Sequence, residues 1–115
     1  MAKRSRRRRK QPPPTVDYSD DDGNVLTLRQ TLSPASVGKI QAGPARAATS
    51  AEDAFRRREE MLFERLVVRW EIAGLPLEDQ KLLLGRYRMA TADEREWVCR
   101  TIAAHLERHI PELGG

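Results

Sequence analysis

The clearest pattern along the chain is a set of apolar residues at helical spacing in residues 55–70. They are Phe55, Met61, Leu62, Phe63, Leu66, Val67 and Trp70. Ser50 and Asp53 stand in the Ser-x-x-acid order that opens a helix, whereas Gly74 followed by Pro76 would end one. The pattern therefore predicts a first helix that ends at about Ala73.

Two further helices are predicted beyond this break. Pro76 would open the second helix, which ends in a basic turn at Arg88. Thr91 and Glu94 form a capping box for a third helix over 92–109. The predicted buried stripe of this third helix is Val98, Ile102, Leu106 and Ile110. Three helices joined by short turns indicate a small antiparallel bundle over residues 49–113.

Alternation with a period of two replaces helical spacing in residues 15–32, which predicts a short β-hairpin. Tyr18 precedes a turn-forming run at residues 20–24, Asp-Asp-Asp-Gly-Asn, and Leu26 and Leu28 follow it. An odd-numbered loop, such as residues 22–24, keeps Tyr18 on the same sheet face as the two leucines. Because an isolated hairpin is marginal in water, it should lie against another surface.

The predicted fold class is mainly α, a small three-helix bundle preceded by a short β-hairpin and a disordered basic arm. Three segments follow. Residues 1–14 form the Arg-rich arm with its proline spacer. Residues 15–48 hold the hairpin, a short helical turn from Ser33 to about Ile40 and a linker, and residues 49–113 hold the helices.

Charge is distributed unevenly along the chain. Residues 1–10 carry seven basic and no acidic side chains, whereas the whole chain has a net charge of only +4. The candidate contacts to nucleic acid or phosphate are Lys3, Arg4, Arg6, Arg7, Arg8, Arg9 and Lys10. Such a cluster neutralises phosphates without reading sequence, and no aromatic residue is interleaved to stack on bases. The arm also lacks an apolar anchor, so no membrane partner is expected.

The second helix carries more apolar surface than a small bundle needs. Leu82, Leu83 and Leu84 are consecutive and spread around more than half of the helix circumference. Some of them therefore need a second surface, which could be the hairpin, a second copy of the chain or another protein. The candidate protein-interaction surface is Leu82, Leu83, Leu84 and Tyr87.

Few residues suggest catalysis or metal binding, and we expect no enzyme activity, cofactor, metal or small-molecule substrate. His105 and His109 share a helix face but lack a third ligand, so they are interpreted as ordinary helix-end histidines. Cys99 lacks an identifiable base. The acidic run at residues 20–23 fails the EF-hand pattern because Arg29 falls where the last acidic ligand should be.

Cellular location can also be predicted. No run approaches the roughly 18 consecutive apolar residues that would span a bilayer. The charged N-terminus has no apolar stretch after it, unlike a secretory signal. A single cysteine fits a reducing compartment, so a cytoplasmic protein is expected.

Two binding functions from different classes fit these features. In the first, the helices and hairpin form an adaptor that binds another protein or itself, and the arm contacts an acidic surface such as a nucleoprotein. In the second, the chain is a sequence-nonspecific nucleic-acid-associated factor. The acids on the third helix disfavour a helix-turn-helix reader.

A family resemblance adds a third possibility. A hairpin containing Gly-Asn-Val-Leu-Thr-Leu-Arg, then Ser-Pro, then a helical domain is similar in layout, over residues 15–110, to small phage tail-assembly chaperones. The resemblance implies a non-enzymatic assembly protein whose helices hold another chain, although the arginine arm departs from it.

Overall fold

The computed structural model describes residues 13–43 and 50–114, which form an α+β fold of five helices and four strands. The strands are β1 (Thr15–Ser19), β2 (Val25–Arg29), β3 (Val67–Ile72) and β4 (Leu75–Leu77). The helices are α1 (Pro34–Ala42), α2 (Ala51–Leu66), α3 (Gln80–Arg88), α4 (Ala92–His109) and α5 (Pro111–Gly114). The strands make one antiparallel sheet in the order β1-β2-β3-β4. In the described ranges, no helix has the length and apolar character needed to cross a membrane.

The predicted hairpin is confirmed by β1 and β2. Tyr18 pairs with Leu26 across the two strands, so the loop between them has an odd number of residues, Asp20 to Asn24. The Asp20 carboxylate accepts hydrogen bonds from the backbone N–H groups of Asp22 and Asn24, both at 2.9 Å. This side-chain bonding holds the turn and keeps the apolar residues of both strands on one face.

The predicted mainly α, three-helix fold is wrong, because the first helix ends at Leu66 and the chain continues as β3. Leu26 and Leu28 of β2 are fully buried, and β2 pairs with β3 along the edge that β1 leaves free. A hairpin alone could not cover these leucines, whereas a third strand completes the sheet and lets helices pack on its apolar face. The sheet therefore joins residues from both the 15–48 and the 49–113 segments.

An irregularity in β3 explains why helical spacing was misleading there. Leu28 pairs with Val67 and Thr27 pairs with Arg69, so Val68 is an extra residue in the strand, a β-bulge. In a regular strand, residues three apart face opposite sides. The bulge instead allows Val67 and Trp70, which are 1% and 2% exposed, to face the same core.

The predicted break at Gly74 is a hairpin turn between strands. Ile72 pairs with Leu75, which leaves Ala73 and Gly74 as a two-residue loop with φ angles of 53° and 79°. Positive φ at both positions is characteristic of a type I′ turn. Pro76 consequently lies in the edge strand β4 and does not open a helix, and α3 begins only at Gln80, after the N-cap residue Asp79.

The third predicted helix is confirmed as α4. Its capping box is complete, since the Thr91 hydroxyl accepts from the Glu94 N–H at 3.1 Å and the Glu94 carboxylate accepts from the Thr91 N–H at 2.9 Å. All four residues of the predicted stripe are buried: Val98, Ile102, Leu106 and Ile110. Ser33 caps α1 as predicted, although that helix continues beyond Ile40 to Ala42.

One hydrophobic core includes residues from the sheet and from every described helix. The sheet contributes Leu26, Leu28, Val67 and Trp70, and the helices contribute Ile40, Leu62, Phe63, Leu66, Leu83, Tyr87, Val98, Ile102, Leu106 and Leu113. The opposite sheet face carries polar pairs such as Thr27 with Asp17 at 2.7 Å. The apolar face of the sheet therefore replaces much of the helix-to-helix packing that a bundle would require.

Candidate functional site

The charges of the chain are separated between its N-terminus and its folded part. The described residues carry thirteen basic and seventeen acidic side chains, a net charge of −4. The predicted phosphate-contact residues are Lys3, Arg4, Arg6, Arg7, Arg8, Arg9 and Lys10, and all of them lie outside the described residues. The folded part is therefore acidic in net charge, although the whole chain is basic.

A cavity of about 690 Å³ lies where the described chain begins. Its walls include Pro13, Arg29 at the end of β2, Arg65 in the last turn of α2, and Gln80 at the start of α3. We call this cavity the basic groove. The Gln30 N–H donates to the Pro14 carbonyl at 2.9 Å, which fixes the root of the arm at the groove.

The two arginines of the basic groove are not neutralised by ion pairs. Within residues 13–43 and 50–114, neither Arg29 nor Arg65 lies within ion-pair distance of a carboxylate. Arg65 donates a hydrogen bond to the Ser36 hydroxyl, at 3.3 Å. Both side chains are partly exposed. Glu64 adds a carboxylate to the same wall, so the described wall has a net charge of +1. This positive patch contrasts with the net negative charge of the fold.

A second cavity, of about 630 Å³, separates α2 from α4 beside the end of α3. We call it the apolar groove after Phe55, Tyr87, Ala92 and Cys99 in its walls, which also include charged side chains from all three helices. Phe55 is 60% exposed, which is unusual for an aromatic side chain on a small fold. The apolar groove offers a surface that a partner chain could cover.

The cysteine in this groove is poorly suited to nucleophilic chemistry. Its Sγ lies 3.4 Å from the hydroxyl of Tyr87. Burial raises the pKa of the Cys99 thiol to about 11, and burial also raises the pKa of Tyr87. Because the thiolate is the nucleophilic form, the Cys99 thiol is largely unreactive near neutral pH.

The interpretation of His105 as an ordinary helix-end residue is wrong, since its side chain is fully buried. Its Nδ1 lies 2.6 Å from the Tyr18 hydroxyl, and its Nε2 lies 2.9 Å from the Arg29 carbonyl. The neighbouring His109 ring is 4.8 Å away, centre to centre. In the described part of the chain, no three His, Cys, Asp or Glu side chains are grouped as metal ligands would be.

The predicted protein-interaction residues are spread between the core and the surface. Leu83 and Tyr87 are 0% and 5% exposed and belong to the core, and Leu84 packs against it from the side. Leu82 is 59% exposed. Strand β3 and helix α2 both adjoin this leucine-rich helix, and Leu82 is the member of the set that remains outside.

Sequence reasoning missed Arg29 and Arg65. A usable signal existed for Arg65, because residues 61 and 69, four positions away on either side, are Met and Arg and cannot neutralise it. Arg29 gave no signal, since its surroundings depend on the sheet and on α2. The convergence of the two on one groove follows from the pairing of β2 with β3.

The comparisons with known proteins give no relative for this chain. No protein-family model, curated protein or solved structure matches it.

Proposed function

We propose that this protein is a non-enzymatic adaptor. Its basic arm, residues 3–10, makes electrostatic contact with an acidic surface such as that of a nucleoprotein, and its folded part binds another protein. The separation of charge carries the proposal, because +7 is concentrated in ten residues while the described fold has a net charge of −4. We place the protein in the cytoplasm, in keeping with its single cysteine.

The charges of the arm and of the fold favour different binding roles for the two. A polyanion gains counterion-release free energy from the arm, whereas the net charge of the fold repels it. The fold therefore supplies little of the general attraction that a nucleic-acid-binding domain normally shows. The apolar groove, with Phe55 exposed beside Cys99, supports the protein-binding half of the proposal.

Deletion of residues 1–11 tests the role of the arm. Full-length and truncated proteins are titrated against a fluorescein-labelled 20-base-pair duplex at low salt, with fluorescence anisotropy as the readout. We expect the truncation to abolish binding. A full-length variant with the seven basic residues replaced by glutamine is the matched control for length, and it should also fail to bind. Unchanged affinity in both proteins would refute an electrostatic role for the arm.

Self-association or partner capture tests the folded part. Light scattering on the full chain should show a dimer, or immobilised protein should retain a specific partner from lysate. Phe55→Glu places a charge in the apolar groove and should abolish the interaction. Arg100→Glu is a control on the exposed surface of α4 and should leave the interaction intact. A chain that stays monomeric and retains no partner would contradict the adaptor function.

A further inference from the structure

We propose that Arg29 and Arg65 bind backbone phosphates of the same nucleic acid that the arm contacts, which makes the basic groove the part of the fold that joins the electrostatic interface. This inference rests on the proposed function of the arm. The ligand class is a phosphodiester backbone of any sequence. The first described residue, Pro13, lines the same groove as the two arginines, and this juxtaposition carries the inference.

Chain geometry supports a continuous interface. Lys10, the last basic residue of the arm, precedes Pro13 by three residues in the sequence, and three residues of chain can span at most about 10 Å. A duplex carries a phosphate on each strand for every 3.4 Å or so of its axis. A backbone held at Lys10 therefore has further phosphates within reach of the groove.

The chemistry of the groove suits this ligand. Arginine presents a planar fork of donors that matches phosphate oxygens, and a guanidinium without a carboxylate partner has those donors available. Several other arginines of the fold are already engaged by carboxylates, as in the pairs of Arg86 with Glu94 at 2.7 Å and of Arg88 with Glu60 at 2.9 Å. The Gln80 amide in the same wall already donates to the Glu64 carbonyl, at 2.7 Å, so the two arginines are the groups that would contact phosphate. A cavity of about 690 Å³ has room for a phosphate group with its sugar neighbours.

The salt dependence of duplex binding tests the inference on the full chain. Affinity of the wild type and of the double variant R29Q/R65Q is measured between 50 and 200 mM KCl. Each lost phosphate contact should reduce the slope of log K against log salt by about 0.9, so the double variant should lose about 1.8. Its affinity at 100 mM salt should fall by at least about tenfold.

A charge-matched control separates a local contact from a net-charge effect. R95Q/R100Q removes the same two positive charges from exposed positions of α4 that do not line the groove. An equal loss of slope in both double variants would overturn the inference. Because Arg65 contacts Ser36, R29Q alone is also measured, and it should lose about 0.9 of the slope without lowering thermal stability.

The outcomes also distinguish this inference from the proposed function. If deletion of residues 1–11 leaves duplex binding unchanged, the role of the arm fails. If the deletion abolishes binding but R29Q/R65Q retains the full wild-type slope, only the role of the groove fails. Vesicles containing anionic phosphatidylglycerol serve as a second probe. Loss of vesicle binding in R29Q/R65Q without loss of duplex binding would also overturn the inference.

Discussion

The hydroxyl of Tyr18 lies 2.6 Å from Nδ1 of His105, which joins the edge strand β1 to the C-terminal part of α4, the longest helix. The second ring nitrogen of His105 is 2.9 Å from the Arg29 carbonyl. Neutral His105 satisfies both contacts when the Tyr18 O–H donates to Nδ1 and the Nε2–H donates to the carbonyl. A buried polar side chain is thus fully bonded, and it fixes the position of α4 against the first two strands.

Removing the Tyr18 hydroxyl should destabilise the fold. In Tyr18→Phe, Nδ1 of the fully buried His105 loses its partner, and an unsatisfied buried acceptor costs about 1–3 kcal/mol. Urea denaturation measures the loss. Tyr87→Phe is the matched control, because its hydroxyl has one hydrogen-bonding partner among the described residues, the weakly bonding Sγ of Cys99 at 3.4 Å. The control should lose less free energy of unfolding. An equal loss in both variants would show that the contact of Tyr18 with His105 contributes no more than the contact of Tyr87 with Cys99.

Stability should fall as the pH drops below about 6.5. Burial lowers the pKa of His105, and Arg108 and His109 act in the same direction, while the hydrogen bond to the Arg29 carbonyl opposes them. The unfolded chain therefore binds a proton between the folded-state and unfolded-state pKa values, where the folded chain does not. The stabilising contribution is complete above the unfolded value and is lost as the pH falls towards the folded value.

His105→Gln provides the corresponding measurement. Its free energy of unfolding should be lower than that of the wild type at pH 7.5, because the glutamine cannot satisfy both contacts at the same distances. It should also change less between pH 7.5 and pH 5.5, since the titrating group is gone. Parallel decreases in the two proteins over this range would mean that another group governs the pH dependence.

The turn between β3 and β4 gives a test that separates the observed hairpin from the predicted helix end, because Ala73→Asn should have opposite effects in the two. Ala73 has a φ of 53°, a conformation that alanine adopts at a cost and that asparagine tolerates better. We expect Ala73→Asn to stabilise the protein by about 0.5–1 kcal/mol and Gly74→Ala to destabilise it by about 1 kcal/mol or more. In the predicted helix ending at Ala73, Ala73→Asn would be destabilising, because alanine is the best helix former. Gly74→Ala would be destabilising in both structures, because glycine also favours the position after a helix end. Thermal melts of the two variants provide the measurement.

The sequence predicted elements well where local signals were sufficient. The Asp20–Asn24 turn, the Ser33 cap and the Thr91 capping box each depend on side chains bonding to nearby backbone, and all three are confirmed. The prediction that the first helix continues to about Ala73 failed for a different reason. Helical spacing and a bulged strand give the same burial pattern at Val67 and Trp70, and only the unpaired edge of β2 distinguishes them. The position of that edge is part of the tertiary structure and cannot be read from local sequence.

Prediction of the candidate site was also limited to what local sequence can show. The arm is visible from composition alone, because a block of like charges needs no fold to identify it. The basic groove requires β2, α2 and α3 to meet, and the predicted fold class did not specify how the hairpin sits against the helices. His105 shows the same limit, since its partners Tyr18 and Arg29 are 87 and 76 residues away in the chain.

Two adjacent leucines of α3 should respond very differently to truncation. Leu83 is fully buried, so Leu83→Ala should lower the free energy of unfolding by about 2–5 kcal/mol through lost contacts and a residual cavity. Leu82 is 59% exposed, so Leu82→Ala should change it by no more than about 0.5 kcal/mol. Urea denaturation at protein concentrations a hundredfold apart checks both values.

If Leu82 covers an interface between copies of the chain, its substitution will become destabilising only at the higher concentration. Comparable losses at Leu82 and Leu83 at low concentration would contradict the orientation of α3 on the sheet.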